Sequence, residues 1–148
     1  MKFSARSQYA IEALLALADS REGQPIQVRA IAREHGIPVR FLEQIMASLK
    51  KAGLVRSVRG ARGGYLLGEA PGRIRVSRIL QAVEGPIREE APQAEAESEP
   101  VPPATQVVQA LWREAQDTVR AVFDAITLEE LAKRKRDLEG TRSLMYHI

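Results

Sequence analysis

Cysteine is absent from this 148-residue chain. That absence excludes a disulfide framework, a thiolate nucleophile, a Cys-ligated zinc and a cysteine-held iron–sulfur cluster. Histidine is nearly as scarce. His35 and His147 have no metal-ligand companion in the sequence and read as surface side chains, and neither comes with a serine or acid motif that would make a triad. An enzyme is therefore not expected. Long hydrophobic runs are missing too: Ala13–Ala18 is flanked by Glu12 and Asp19 and is too short for a membrane span or a secretory signal. The expectation is a soluble cytoplasmic protein that does not engage a membrane. What is present is ordinary for a folded domain, with 45% hydrophobic and 28% charged residues. The length can bury a core, and neither wholesale disorder nor a fibre fits.

The formal net charge of +3 hides a polarity. Residues 1–80 carry 14 Lys/Arg against 6 Asp/Glu, residues 81–104 carry 1 against 6, and residues 105–148 carry 7 against 7. A basic first half beside an acidic hinge points to a polyanion that meets the first half only.

Apolar residues recur at helical spacing over Ser4–Asp19, where Ser4 suits the N-cap. Glu22-Gly23-Gln24-Pro25 breaks that helix. A short helix follows over Val28–His35 and stops at Gly36, which favours a left-handed terminus. Pro38 opens a third helix with Phe41, Leu42, Ile45, Met46 and Leu49 as its buried stripe, ending at Gly53. Two short helices around a tight glycine-containing turn form a helix-turn-helix pattern. Leu54–Arg59 and Tyr65–Leu67, either side of Gly60-Ala61-Arg62-Gly63-Gly64, predict a β-hairpin, and a hairpin in that place is a wing. The glycine-rich turn is no nucleotide loop, since no Walker lysine follows it and no helix opens there.

Val76–Val83 predicts another short helix. Five glutamates in Glu89–Glu99 and prolines at 86, 92, 100, 102 and 103 predict a mobile loop. Glutamates spread over such a loop read as solvent charge; a metal site needs convergent ligands. In the longest predicted helix, Thr105–Ile126, residues Val108, Trp112, Ala115, Val119, Val122 and Ile126 form a near-strict heptad seam. Such a seam suits dimerisation, with intrachain packing as the rival use. Thr127-Leu128-Glu129-Glu130 is a capping box that starts a last short helix. Lys133–Arg136 lies at that helix's C-terminal end, where cations suit the dipole, and reads as structural rather than as a second DNA patch. The fold class is thus mainly α. Residues 1–83 form a winged helix-turn-helix domain with a two-stranded wing, and 84–104 an acidic loop. Residues 105–135 hold a dimerisation helix and a capping helix, and 136–148 a C-terminal tail.

A recognition helix reads bases from its N-terminal residues, here Val39, Arg40, Glu43 and Gln44. Arg40 matches guanine, Gln44 adenine, and Glu43 a cytosine amine. Lys50 and Lys51 at the far end suit phosphate, while Arg59 and Arg62 on the wing suit a minor groove or the backbone. Ser4, Gln27 and Tyr65 complete the expected contact set on double-stranded DNA. A homodimer predicts a two-fold operator.

Several stretches together resemble the Rrf2 family of bacterial winged-helix regulators over essentially the whole chain. They are Ser4-Ala5-Arg6-Ser7-Gln8-Tyr9-Ala10, Phe41-Leu42-Glu43-Gln44-Ile45, Gly53-Leu54-Val55-Arg56-Ser57-Val58-Arg59-Gly60 and Gly63-Gly64-Tyr65-Leu66-Leu67-Gly68. Val83-Glu84-Gly85-Pro86-Ile87, Leu111-Trp112 and Ile126-Thr127-Leu128-Glu129-Glu130-Leu131 continue the match. Cluster-binding members of that family place three cysteines in the loop before the long helix, and some use a histidine where this chain has Gln109. With neither feature, the chain is expected to use no cofactor. Its acidic loop and its tail, Met145-Tyr146-His147-Ile148, resemble those of a cluster-free regulator of cysteine metabolism. The resemblance implies cysteine synthase as a partner, docked on Tyr146, His147 and Ile148. A terminal carboxylate with apolar neighbours suits an amino-acid cleft whose backbone amides hold it. The plainer reading is a frayed tail, or one packed on its own dimer. The expected function is a repressor of cysteine or sulfur genes. One alternative is a family regulator of other genes, with a small molecule held between the winged domain and the long helix. Another is an interaction protein acting through its tail, which the set Arg40, Arg59 and Arg62 argues against.

Overall fold

Ser4 opens the first helix, α1 (Ala5–Ala18), by accepting a hydrogen bond from the Ser7 backbone N–H at 3.1 Å. The computed structural model describes residues 4–21, 23–85 and 100–147. Helix α2 (Val28–His35) ends at Gly36, whose φ of +64° is the left-handed stop that glycine permits. Pro38 precedes α3 (Val39–Lys51), which buries Leu42, Ile45, Met46 and Leu49 on one face. The hairpin pairs β1 (Val55–Val58) with β2 (Gly64–Leu67) antiparallel, in the register Val55↔Leu67 and Val58↔Gly64. A 3-10 turn at Pro71–Arg73 leads into α4 (Val76–Glu84), followed by the long α5 (Pro103–Ala125) and then α6 (Leu128–Tyr146).

One core joins these elements. Ala10, Ala13, Leu14 and Leu17 of α1 meet Ile31 and Ala32 of α2, the buried stripe of α3, Leu54 just before the wing and Val55 of β1, and Ile79 and Val83 of α4. Fully burying a leucine or isoleucine of this set contributes about 1.5–3 kcal/mol. The helix-turn-helix and wing are therefore held as one body. The start of α6 joins the same core through Leu128. Ile126 O accepts from Val76 N at 3.0 Å and Ile74 O from Leu128 N at 2.8 Å, so the α5–α6 junction is stitched to the strand-like entry of α4.

The winged architecture, the long helix and all the expected elements are present, with changes at the C-terminal end. The last helix is not short: α6 has 19 residues and reaches Tyr146, so most of the expected tail is helical. Lys133–Arg136 consequently sits mid-helix, away from the C-terminal dipole. Two of its members, Lys135 and Arg136, pair there with Asp19, the C-cap of α1. The Asp19 hydrogen bond raises the Lys135 ammonium above its ordinary pKa. The capping box at Thr127 forms by half. Thr127 Oγ1 accepts from Glu130 N at 3.2 Å, while the Glu130 carboxylate turns to Arg134. His35 is no free surface side chain either: its Nδ1 stands 3.9 Å from Glu12, and both side chains are largely covered. The predicted acidic loop and its glutamates, Glu89–Glu99, lie outside the described residues.

Candidate nucleic-acid interface

Burying Leu42, Ile45, Met46 and Leu49 turns the opposite side of α3 outward, and Val39, Arg40, Glu43 and Gln44 are all exposed there. The four residues expected to read bases therefore share one face at the N-terminal end of α3. Lys50 and Lys51 are exposed at the far end, in the last turn.

The wing is locked to this helix pair. Ile26, just before α2, exchanges both backbone hydrogen bonds with Tyr65 of β2, at 2.8 and 3.0 Å. The approach is so close that a Cβ on Gly64 would lie 2.4 Å from Ile26 O, so only glycine allows it. As a result Arg62 and Gly63 of the wing turn border the same hollow as Gln24, Pro25 and Gln27 at the start of α2. Gln27 is the N-cap of α2 but makes no side-chain cap bond, which leaves its amide available. A helix start beside an arginine suits a phosphate. Arg59 and Arg62 are exposed on the turn.

Two members of the expected set are also tied into the fold. Ser4 Oγ accepts from Ser7 N and donates to the Glu84 carboxylate, so its proton is committed within the protein. Tyr65 is half-buried, packed against the core and bridged through its main chain. Two arginines that sequence reasoning missed are added. Arg29 and Arg33 on α2 line one cleft with Val39, Arg40 and Glu43 of α3. Their only signal in the sequence is the basic surplus of the first 80 residues. In the helix-turn-helix geometry the first helix crosses the backbone, where an exposed guanidinium suits phosphate.

Glu84, at the end of α4, accepts from the hydroxyls of Ser4 and Ser7, and these bonds hold its carboxyl below the ordinary carboxylate range, with the Arg6 charge adding to the effect.

None of the α5 side chains is buried. Val108 is 65% exposed, Trp112 53% and Val122 52%, while Val119 and Ile126 are half-covered. With Ala115 they leave a long apolar seam open to solvent. At the end of α6, Leu144, Met145 and Tyr146 are also exposed, and Arg142 stacks on the Tyr146 ring. His147 follows the last helical turn, and Ile148 lies outside the described residues. No helix among the described residues is long and apolar enough to cross a membrane.

Residues 3–134 match the family model described as Rrf2, iron-dependent transcriptional regulator. The chain is 37% identical over 132 residues to the HTH-type transcriptional regulator CymR of Bacillus subtilis, covering 89% of this chain and 90% of that protein. It is 33% identical over 139 residues to the regulator IscR of Xenorhabdus nematophila, covering 94% and 84% respectively. Among solved structures, that of CymR, the global cysteine regulator of B. subtilis, superposes with a TM-score of 0.73 at 34% identity, over 90% of this chain and 98% of that one. T. potens IscR superposes with a TM-score of 0.74 at 32% identity, over 91% and 88%. The chain has no cysteine, and no three His, Asp or Glu side chains converge among the described residues. In fold and in sequence over nearly its whole length, the chain belongs to the Rrf2 family of transcriptional regulators.

Proposed function

We propose that this regulator is a repressor of genes of cysteine or sulfur metabolism, binding an inverted-repeat operator as a homodimer without a cluster. The observation that carries DNA recognition is the single exposed face on which Arg40, Glu43 and Gln44 stand. Arg29 and Arg33 line one cleft with Arg40 and Glu43, and the wing arginines Arg59 and Arg62 are exposed as well, Arg62 beside the start of α2. Such a face separates base-reading from phosphate-holding groups. The dimer rests on the open seam of α5: apolar side chains repeating at heptad spacing on a helix with no buried residue need a partner surface. The metabolic assignment rests on similarity to CymR, whose solved structure is described as that of a global cysteine regulator.

Control by cysteine synthase docking on Tyr146, His147 and Ile148 is part of the same reading. The apolar end of α6 supports it, since Leu144, Met145 and Tyr146 are largely exposed there. Entry of Tyr146 into a cleft on the enzyme requires the last turn of α6 to unwind and the Arg142–Tyr146 stack to open.

Sequencing the genomic DNA retained by the full-length protein tests the first part. Recovery of inverted repeats upstream of sulfur-assimilation genes is expected, and repeats upstream of unrelated genes would refute the metabolic assignment. Titration of cysteine synthase with the full chain and with a form lacking Tyr146–Ile148 tests the second. Equal binding by both would remove the tail from the mechanism.

A further inference from the structure

The first turn of α1 holds two other helices by side-chain bonds. Arg6 Nε donates to Val83 O at 2.6 Å, a carbonyl in the last turn of α4. From the same guanidinium, Nη2 donates to Ser48 Oγ of α3 at 3.0 Å. Ser48 Oγ in turn donates to Gln44 O at 3.2 Å, the backbone of a base-reading residue one turn back along the recognition helix. Ser4 and Ser7 add a second strap between α1 and α4 through Glu84. Helix α4 packs on α3 and also on α5. A connected path thus runs from the reading end of α3, through Arg6, to the element that seats the long helix.

We propose that Arg6, acting through Ser48, is a positioning residue that sets the spacing between the two recognition helices of the dimer. It thereby makes the protein selective for the number of base pairs between half-sites. The inference rests on the homodimer proposed above. A planar guanidinium with donors fixed in a fork is suited to this task, because it holds two acceptors on different helices at a fixed relation. Two-fold symmetry amplifies the result: a displacement of the α3 reading end along the line between the two half-sites is repeated in the opposite direction in the partner, so their separation changes by twice that displacement. One base pair advances a half-site by about 3.4 Å and also turns it around the duplex, since a full turn takes about 10–10.5 bp. A clipped α3 cannot follow such a change, whereas an unclipped one can.

The test uses the full-length protein and an operator selected by it from a randomised duplex pool. Affinities are measured for that operator, for versions with one base pair added to or removed from the spacer, and for a duplex with a single half-site. Ser48→Ala removes the α3 end of the clip at a position where alanine favours helix, and Ser48→Thr restores a hydroxyl. The parent is expected to prefer its own spacer by roughly tenfold, the scale of one charge-assisted hydrogen bond. In Ser48→Ala that preference should drop to about threefold or less on the same scale, with the melting temperature, dimerisation and half-site affinity retained, and Ser48→Thr should recover it. Arg6→Gln should reproduce the loss. A parent-like spacer preference in Ser48→Ala overturns the inference, and so does an equal loss on every duplex including the half-site. A parent that is monomeric, or indifferent to spacer, overturns the dimeric-operator reading together with this one. A spacer-selective dimer unaffected by Ser48→Ala overturns this one alone.

Discussion

Arg40→Ala and Arg62→Ala distinguish reading bases from holding phosphates. Both side chains are exposed, and neither makes an ion pair among the described residues. Their removal should therefore leave stability within about 0.5 kcal/mol, and any change in DNA affinity belongs to the interface. Arg40 lies in the first turn of α3, where a guanidinium reaches a guanine edge. Losing such a contact costs about 1–3 kcal/mol at each half-site. A symmetric operator presents it twice, so the dimer loses about 2–6 kcal/mol, or between roughly 30-fold and more than 10⁴-fold in affinity. A scrambled duplex, bound through phosphates alone, should lose little. Arg62, beside the start of α2 on the wing turn, should behave in the opposite way. Its loss should weaken both duplexes and lower the slope of log K against log salt by about 0.9 per phosphate, or about 1.8 for two protomers. Fluorescence anisotropy on both duplexes across a salt series separates the two patterns. If Arg40→Ala weakens operator and scrambled duplex by one factor and lowers the salt slope, Arg40 is a phosphate contact and the base-reading assignment fails.

Three further outcomes follow from the same geometry. Arg29→Gln with Arg33→Gln should lower the salt slope by up to about 3.6 for the dimer without changing which operator is preferred; an unchanged slope would place α2 away from the backbone. Gly64→Ala should cost about 3–5 kcal/mol, from strain at a φ of +148° and from loss of the Ile26–Tyr65 bridge. In thermal denaturation, a melting temperature within a degree or two of the parent would show that the wing is not locked as described. Glu84 has its carboxyl lowered by the Ser4 and Ser7 hydroxyls, so its stabilisation is complete above the ordinary carboxylate range and is lost as pH falls through the depressed value. Denaturant titrations should show the parent losing stability on acidification more steeply than Glu84→Gln, and parallel pH profiles would remove the Ser4–Ser7–Glu84 strap from the stability argument.

The winged half was legible because its signals are local and agree with one another. Ser4 caps, Gly36 and Gly53 take positive φ, Pro38 precedes α3, and the apolar stripe of α3 fixes by exclusion which residues face outward. The end of α6 was not legible for the opposite reason. Beyond Ala132 this helix buries no residue, so no apolar periodicity marks it. Its continuation is supported by local pairs such as Lys135–Glu139 and by the absence of proline. Arg29 and Arg33 were passed over because exposed arginines on the polar side of a short helix look like solvated charge until the fold sets them beside Arg40. The Arg6 clip was out of reach altogether, since its partners stand 77 and 42 residues away in the chain.

These separations bear on how the protein divides its work. The groups proposed to touch DNA project from a frame whose own polar needs are met elsewhere: Arg6, Ser4, Ser7, Ser48 and Glu84 bond to one another, leaving Arg40, Glu43 and Gln44 free on the surface. A frame whose polar groups bond internally can hold the reading face to a fixed geometry, so binding DNA orders the exposed side chains rather than the helices that carry them. The apolar surfaces that the fold leaves uncovered, the α5 seam and the last turn of α6, stand outside that frame.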